Sequence, residues 1–331
     1  MKARDLAIVA AVVLLGGFAL ADALRSSGED LSAPSTQSVP DGRDGPEPQA
    51  DAPQGWPAGR LRGTLVFTDA EDCRVRVIGL GGGRERPAGN LVGSCRLWAA
   101  PIGQRIAYDT GGVRDSSGDS FAVVDLRRAG VELASIQEFT PGGDVLWSPD
   151  AQRLAWCDFF GKGLELDIGD ERPRTLEKCP VAYTPDGDLV FVADRKLVSK
   201  RRTLLTERLG ITQAYWGTDG SLLVVLAGGI VRRYDDNRLT DAVDLRTDAM
   251  LTPSPDNCAV SFFDAGRIRV EDVGCFRAPA RAFIGLDSAW SPDGVWLAIA
   301  DPDQIEFHRV LGGEETIVWP ARASELHWRE R

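Results

Sequence analysis

The segment Trp290-Ser291-Pro292-Asp293-Gly294 is followed by Trp296-Leu297-Ala298-Ile299-Ala300-Asp301. Each residue type has a mechanical use. Pro presets the dihedral at the second position of a type I turn, Asp bonds its own backbone, and Gly takes the last place. The aromatic before the turn ends one strand, and the β-branched and aromatic run after it forms the next. The unit recurs upstream. Trp147-Ser148-Pro149-Asp150-Ala151 precedes Leu154-Ala155-Trp156-Cys157-Asp158, and Tyr183-Thr184-Pro185-Asp186-Gly187 precedes Leu189–Asp194. Trp216-Gly217-Thr218-Asp219-Gly220 precedes Leu222–Leu226, and Pro253-Ser254-Pro255-Asp256-Asn257 precedes Ala259–Asp264. A worn copy begins at Trp98 and leads to Arg105–Asp109.

The anchors fall at 98, 147, 183, 216, 253 and 290, with steps of 49, 36, 33, 37 and 37. The polar insert at 110–120 (TGGVRDSSGDS) accounts for the long first step. Further strands are expected at Phe121–Asp125, Leu164–Ile168, Ile230–Tyr234, Ile268–Glu271 and Ile305–Arg309, so each unit reads as a meander of three or four strands. Trp328 lies 38 residues after Trp290 and opens a further unit whose remaining strands are missing. They stand at the other end of the repeat region, in Gly63–Asp69 and Arg74–Ile78. The two ends complete one unit between them, which closes a ring and leaves no open sheet edge. The expectation is an all-β chain, a β-propeller of seven blades, with six as the alternative count.

The W-S-P-D-G turn followed by an L-A-x-x-x strand resembles the repeat of the TolB-type, WD-repeat-like propellers of exported bacterial proteins. The resemblance spans about residues 60–331. It implies an extracytoplasmic propeller that binds other proteins or is fused to an enzyme. The repeated aromatics Trp98, Trp147, Tyr183, Trp216, Trp290 and Trp328 are turn and core residues, so the motif names a fold and leaves function open.

Before the repeats, Lys2 and Arg4 flank a charge-free run from Leu6 to Leu20. Fifteen helical residues would span about 22 Å, and extension to Leu24 about 28 Å, against a hydrocarbon core of about 30 Å. Residues 1–25 are read as a signal anchor, with the alternative of a signal peptide cleaved near Ala21 after Ala19-Leu20-Ala21. Residues 26–59, rich in Pro, Gly, Ser and Asp, read as a flexible linker, and 60–331 as the propeller. The propeller is thus placed outside the cytoplasm, on a single-pass membrane anchor or secreted. Six cysteines in such a chain suggest three disulfides. Cys73 and Cys95 stand 22 apart, as do Cys157 and Cys179, at similar stations of different units. Cys258 and Cys275 flank a hairpin, which pairs them in turn.

The net charge of −11 argues against a nucleic-acid partner. The only histidines, His308 and His327, lie near the C-terminus without a nucleophile motif, which argues against histidine-based catalysis and multi-histidine metal sites. No G-x-S-x-G is present and no room exists for a hydrolase domain. Asp150, Asp186, Asp219, Asp256 and Asp293 read as turn residues. Asp109, Asp115 and Asp119, in and beside the acidic insert, are weak candidates for a Ca²⁺ loop, although the spacing is not D-x-D-x-D-G. Arg195, Lys196, Lys200, Arg201, Arg202 and Arg208 make a basic patch in an acidic chain, a candidate partner surface or a protected outer strand. No cofactor and no enzymatic activity are expected. The functional expectation is a membrane-tethered module binding an envelope protein or a glycan. The alternative is a metal-dependent propeller enzyme of the lactonase or lyase type.

Overall fold

The computed structural model describes residues 52–330 apart from 55, 58, 93–94, 111–119, 129–130, 138–140, 171, 201, 276–279 and 302. Its strands form seven four-stranded antiparallel sheets. Blade one is composite. Ala323–Arg329 pairs with Thr64–Asp69, which continues to Arg74–Gly79 and Arg84–Val92. Leu65 faces Trp328 and Phe67 faces Leu326 across the closing ladder, as the spacing of the repeats predicts. Gly63 (φ 92°) opens this passage, and a Cβ there would lie 2.3 Å from the Arg329 carbonyl oxygen. The first strands of blades two to seven are Leu97–Ala99, Pro141–Trp147, Pro180–Tyr183, Ile211–Trp216, Thr252–Pro253 and Asp287–Trp290.

The core is divided into seven seams, one between each pair of neighbouring blades. Leu65, Phe67 and Ile78 of blade one meet Ala298, Phe307 and Trp319 of blade seven; Val66 and Val77 on the other face meet Leu97 and Ile106 of blade two. The remaining five clusters fill the other seams. A second strand is thus covered on both faces, which is why Leu222–Leu226 and Trp296–Ala300 are buried throughout and read as continuous apolar runs. The anchor indoles tie blades together: Trp147 Nε1 donates to Trp98 O at 3.1 Å and Trp290 Nε1 to Thr252 O at 2.9 Å. Buried carboxylates do the same further out. Glu85 accepts from Trp319 Nε1 at 2.8 Å, Glu165 from Tyr183 Oη at 3.1 Å, and Glu207 from Tyr234 Oη.

The turns are one device repeated. In the units at 148, 254 and 291 the serine hydroxyl donates to the turn aspartate at 2.5, 2.7 and 2.6 Å. The same oxygen accepts the N–H of Arg153, Ala259 or Trp296 at 2.9, 3.0 and 2.8 Å. The fifth position takes positive φ: 69° at Gly294, but also 54° at Ala151 and 53° at Asn257.

The linker boundary needs correction. Trp56 belongs to the ring: its indole stands edge-on to Trp319 (4.9 Å) and Phe307 (5.8 Å) and donates to Leu80 O at 3.0 Å. Its proline-rich neighbours obscure it in the sequence, because composition is blind to one well-placed aromatic. Residues 1–51, over which the anchor and most of the linker are expected, lie outside the described residues. Among the described residues no helix is long and apolar enough to cross a membrane.

Candidate functional site

Every first strand runs toward its W-S-P-D-G-type turn, so all these turns lie on one face of the ring, the turn face. The starts of the first strands, the hairpins between second and third strands and the blade-to-blade connections lie on the opposite face, here the mouth face.

Three residues before each anchor, counted in ring order from blade one, stand Glu325, Cys95, Asp144, Pro180, Gln213, Met250 and Asp287. This station gathers chemistry at the axis. Asp287 Oδ2 accepts the Leu326 N–H of the next blade at 2.7 Å, and Gln213 Oε1 accepts the Leu251 N–H of its next blade at 3.2 Å. Glu325 accepts the Leu97 N–H of blade two. Asp144 and Asp287 belong to blades that are not neighbours, yet the charge of Asp144 acts on Asp287 and both act on Glu325. They therefore converge across the central channel. Asp144 is open to solvent at the mouth, but protein walls surround it and burial pushes its carboxyl up. Burial also pushes Asp287 up to about 6 and Glu325 to about 8, with the neighbouring carboxylates adding to both. Arg96 opposes this at Asp144 and Glu325. It is itself fixed, donating to Pro141 O (3.3 Å) and Gly143 O (3.0 Å) and lying 5.0 Å over the Trp98 ring.

Several large apolar side chains are exposed on the mouth face. Phe159 and Phe160, in the second hairpin of blade three, are 70% and 96% exposed. Leu209, Met250, Phe263, Ile284 and Leu286 are exposed on the same face. Of the remaining exposed large apolar side chains among the described residues, Ile102 lies in a turn on the other face, and Leu239 and Val318 on outermost strands. Two disulfides, Cys73–Cys95 and Cys157–Cys179, stitch the mouth-face loops of blades one and three to the connections that follow them, with Cα separations of 4.5 and 5.1 Å. Cys258–Cys275, at 5.3 Å, closes a hairpin at the turn face. All three pairs are those expected from the sequence, two from their repeat stations and Cys258–Cys275 from its hairpin.

The other sequence candidates are dispersed. Asp109 is buried at the mouth end of its strand, its N–H donating to Arg96 O at 3.1 Å. Asp115 and Asp119 lie outside the described residues, and so does Arg201. Among the described residues no group of three or more His, Cys, Asp or Glu side chains could hold a metal ion. The basic patch divides between the two ends of blade four. Arg195, Lys196 and Arg208 stand at the mouth end, where Arg195 Nη1 donates to Arg208 O at 3.1 Å. Lys200 and Arg202 stand at the turn end, with Lys200 paired to Asp188 at 2.5 Å. The turn aspartates Asp150, Asp219, Asp256 and Asp293 each accept the N–H two residues on, at 3.1, 2.9, 3.2 and 3.1 Å.

Both histidines have partners that the sequence does not reveal. His308 meets Glu306 at 2.8 Å and Thr316 at 3.1 Å; His327 Nε2 lies 2.6 Å from Leu97 O. Burial lowers the pKa of His308, and that of His327 to about 4. The channel carboxylates escape local motif reading because each comes from a different blade; counting back three places from every anchor would have gathered them.

Fold and site define a seven-bladed β-propeller with an acidic channel mouth. No family model matches the chain, and no curated protein matches it. Solved structures do. A chain of the mitotic checkpoint complex is 17% identical over 87% of this chain and 99% of its own, with a TM-score of 0.54. A Bacteroides fragilis protein assigned as a 6-phosphogluconolactonase is 14% identical over 81% and 98%, with a TM-score of 0.53. At these identities the likeness extends to the fold and no further.

Proposed function

We propose that this chain is a non-enzymatic binding or scaffold module, displayed outside the cytoplasm on an N-terminal membrane anchor, which engages an envelope protein through its mouth face. The observation that carries this reading is the concentration of exposed Phe159, Phe160, Leu209, Met250, Phe263, Ile284 and Leu286 on one face, around an acidic mouth. Exposed apolar groups gathered this way mark interaction surfaces. Three disulfides suit an oxidising compartment, and two of them brace the loops of that face, which lowers the ordering cost of binding. The chain enters the ring at the turn face, where Trp56 docks against Leu80, so a tether there would leave the mouth face free. The resemblance of the W-S-P-D-G unit to TolB-type repeats supports the same reading. It is tested by cross-linking the full chain in its native membrane, comparing wild type with Phe159→Ser/Phe160→Ser. Loss of a specific cross-linked partner in the variant, with an unchanged melt, is expected; an identical cross-linking pattern would exclude this face.

A glycan would be an alternative occupant of the same face. The second reading, a metal-dependent lactonase or lyase, draws on the convergence of Asp144, Asp287 and Glu325 on the axis. A Ca²⁺-induced rise in Tm that vanishes in Asp144→Asn/Asp287→Asn would favour it, because a bound ion stabilises by mass action. No such rise is expected.

A further inference from the structure

The mouth face is not uniform in charge. Apart from Lys2, the lysines of the chain are Lys162, Lys178, Lys196 and Lys200, and all four fall in blades three and four or the connection between them. Lys200, at the turn end, is ion-paired to Asp188; the other three are exposed at the mouth end and have no ion pair among the described residues. Arg195 and Arg208 are exposed beside Lys196, joined to each other by the bond given above. The exposed carboxylates of these loops are Glu177 and Asp194. Glu207 is buried, and Asp158 is engaged within its own hairpin. A surplus of positive charge thus stands at one sector of a chain whose net charge is −11.

Phe159 and Phe160 project from this sector. They form the tip of the hairpin that Lys162 closes, and the tip is stiff. Asp158 Oδ1 accepts the N–H of Phe160 at 2.9 Å and of Lys162 at 2.8 Å, and Gly161, at φ 78°, donates to Asp158 O at 3.0 Å. Cys157–Cys179 ties the hairpin to the next connection, and Gly163 passes so close that a Cβ there would lie 2.0 Å from the Lys178 carbonyl oxygen. The two phenyl rings are therefore held out in water instead of folding back onto the blade. Adjacent rings at a hairpin tip make a convex wedge, and a fluid surface accepts a wedge without a matching pocket. Aromatic side chains flanked by Lys and Arg are stabilised at the boundary between anionic headgroups and acyl chains, where apolar burial and charge attraction act together.

We propose that the mouth-face loops of blades three and four dock on an anionic lipid surface, the rings of Phe159 and Phe160 entering at headgroup depth and Lys162, Lys178 and Lys196 meeting lipid phosphates. This contact rests on the mouth-face reading above and deepens it, because it turns that face toward the membrane where the partner is sought. The chain length permits the orientation. The 26 residues from Ser26 to Asp51, expected as linker, reach up to about 85 Å when extended, against about 20 Å for a strand of six residues.

The test reconstitutes the full chain into vesicles of equal parts phosphatidylglycerol and phosphatidylcholine carrying a trace of diazirine-tailed phosphatidylcholine, followed by irradiation and peptide mapping. The peptide holding Phe159 and Phe160 is expected to take up label about fivefold or more above the peptide holding Ile102, an exposed apolar side chain on the turn face. In vesicles of phosphatidylcholine alone, or at about 0.5 M NaCl, that ratio should fall by about threefold or more. Lys162→Gln/Lys178→Gln/Lys196→Gln leaves the rings in place, should melt as wild type, and should lower the ratio by a similar factor. Equal labelling of the two peptides, or a ratio indifferent to lipid charge or to the lysines, would overturn the proposal. A hairpin unlabelled by lipid, with the cross-linked partner still lost in Phe159→Ser/Phe160→Ser, would assign the rings to a protein contact, overturning the lipid contact and leaving the mouth-face reading intact. Lipid labelling of the hairpin in a chain that cross-links to no partner would support the lipid contact and remove that reading.

Discussion

Glu325 and Asp287 carry protons in the folded ring that an unfolded chain releases near pH 4. The folded state therefore binds more protons above that pH. Their stabilising contribution is complete below the unfolded values and is lost as pH rises through about 6 for Asp287 and about 8 for Glu325. His327 acts in the opposite sense. Its folded pKa falls from the ordinary histidine range to about 4, so stability is lost as pH drops through that window. Where all three titrate the two carboxyls outweigh the single histidine, so thermal melts should decline as pH rises from about 5 to about 8. Glu325→Gln keeps an acceptor for the Leu97 N–H and should flatten the alkaline limb, gaining on the order of 2 kcal/mol at pH 8.5. An alkaline limb unchanged in that variant would mean that Glu325 does not hold its proton at the mouth.

At the scale of the element, the turn is the unit that recurs, and its copies serve as internal controls. Ser291 is buried and its hydroxyl makes both a donated and an accepted bond. Ser291→Ala strands the Trp296 N–H and removes one of the donors to the Asp293 carboxylate, and should cost about 1–3 kcal/mol in chemical denaturation. Ala151 holds the fifth place of its turn at φ 54°, where the unit at 290 uses Gly294. Ala151→Gly should stabilise by about 0.5–1 kcal/mol, because relief of left-handed strain outweighs the added chain entropy. A destabilised variant would show that the Ala151 methyl, buried against its surroundings, matters more than the backbone. The disulfides belong to this scale too. Their loops of 22, 22 and 17 residues each restrain the unfolded chain by about 3 kcal/mol in the entropic model. Non-reducing peptide mapping should recover those three pairs and no cross-blade pair.

At the scale of the whole molecule, closure is the feature on which the ring depends. Ala323–Arg329 supplies the first strand of blade one and packs Leu326 and Trp328 into the seam with blade seven. Removal of residues 324–331 exposes the edge of Thr64–Asp69 and empties part of that seam. Tm should fall by about 15 °C or more, or cooperative melting should be lost altogether. A truncated chain that melts like the full one would contradict the closing ladder.

The repeat was readable because local physics writes it in full each time. Ser-Pro-Asp-Gly makes a turn wherever it stands, a β-branched run makes a strand, and the interval of 33 to 37 residues between most anchors sets the number of blades. The cysteine pairs were readable for the same reason, since each closes within or next to one repeat. Trp56 was not, because its partners Trp319, Phe307 and Leu80 come from the far ends of the ring. Nor were the channel carboxylates. Asp144, Asp287 and Glu325 are ordinary surface-type residues in their own segments, and protein walls surround them and bring their charges together when ring closure turns first strands from different blades toward one axis. Sequence alone thus determined the repeating unit, which depends on contacts a few residues apart. Tertiary structure decided the sites, because each is assembled from single residues that only closure brings together.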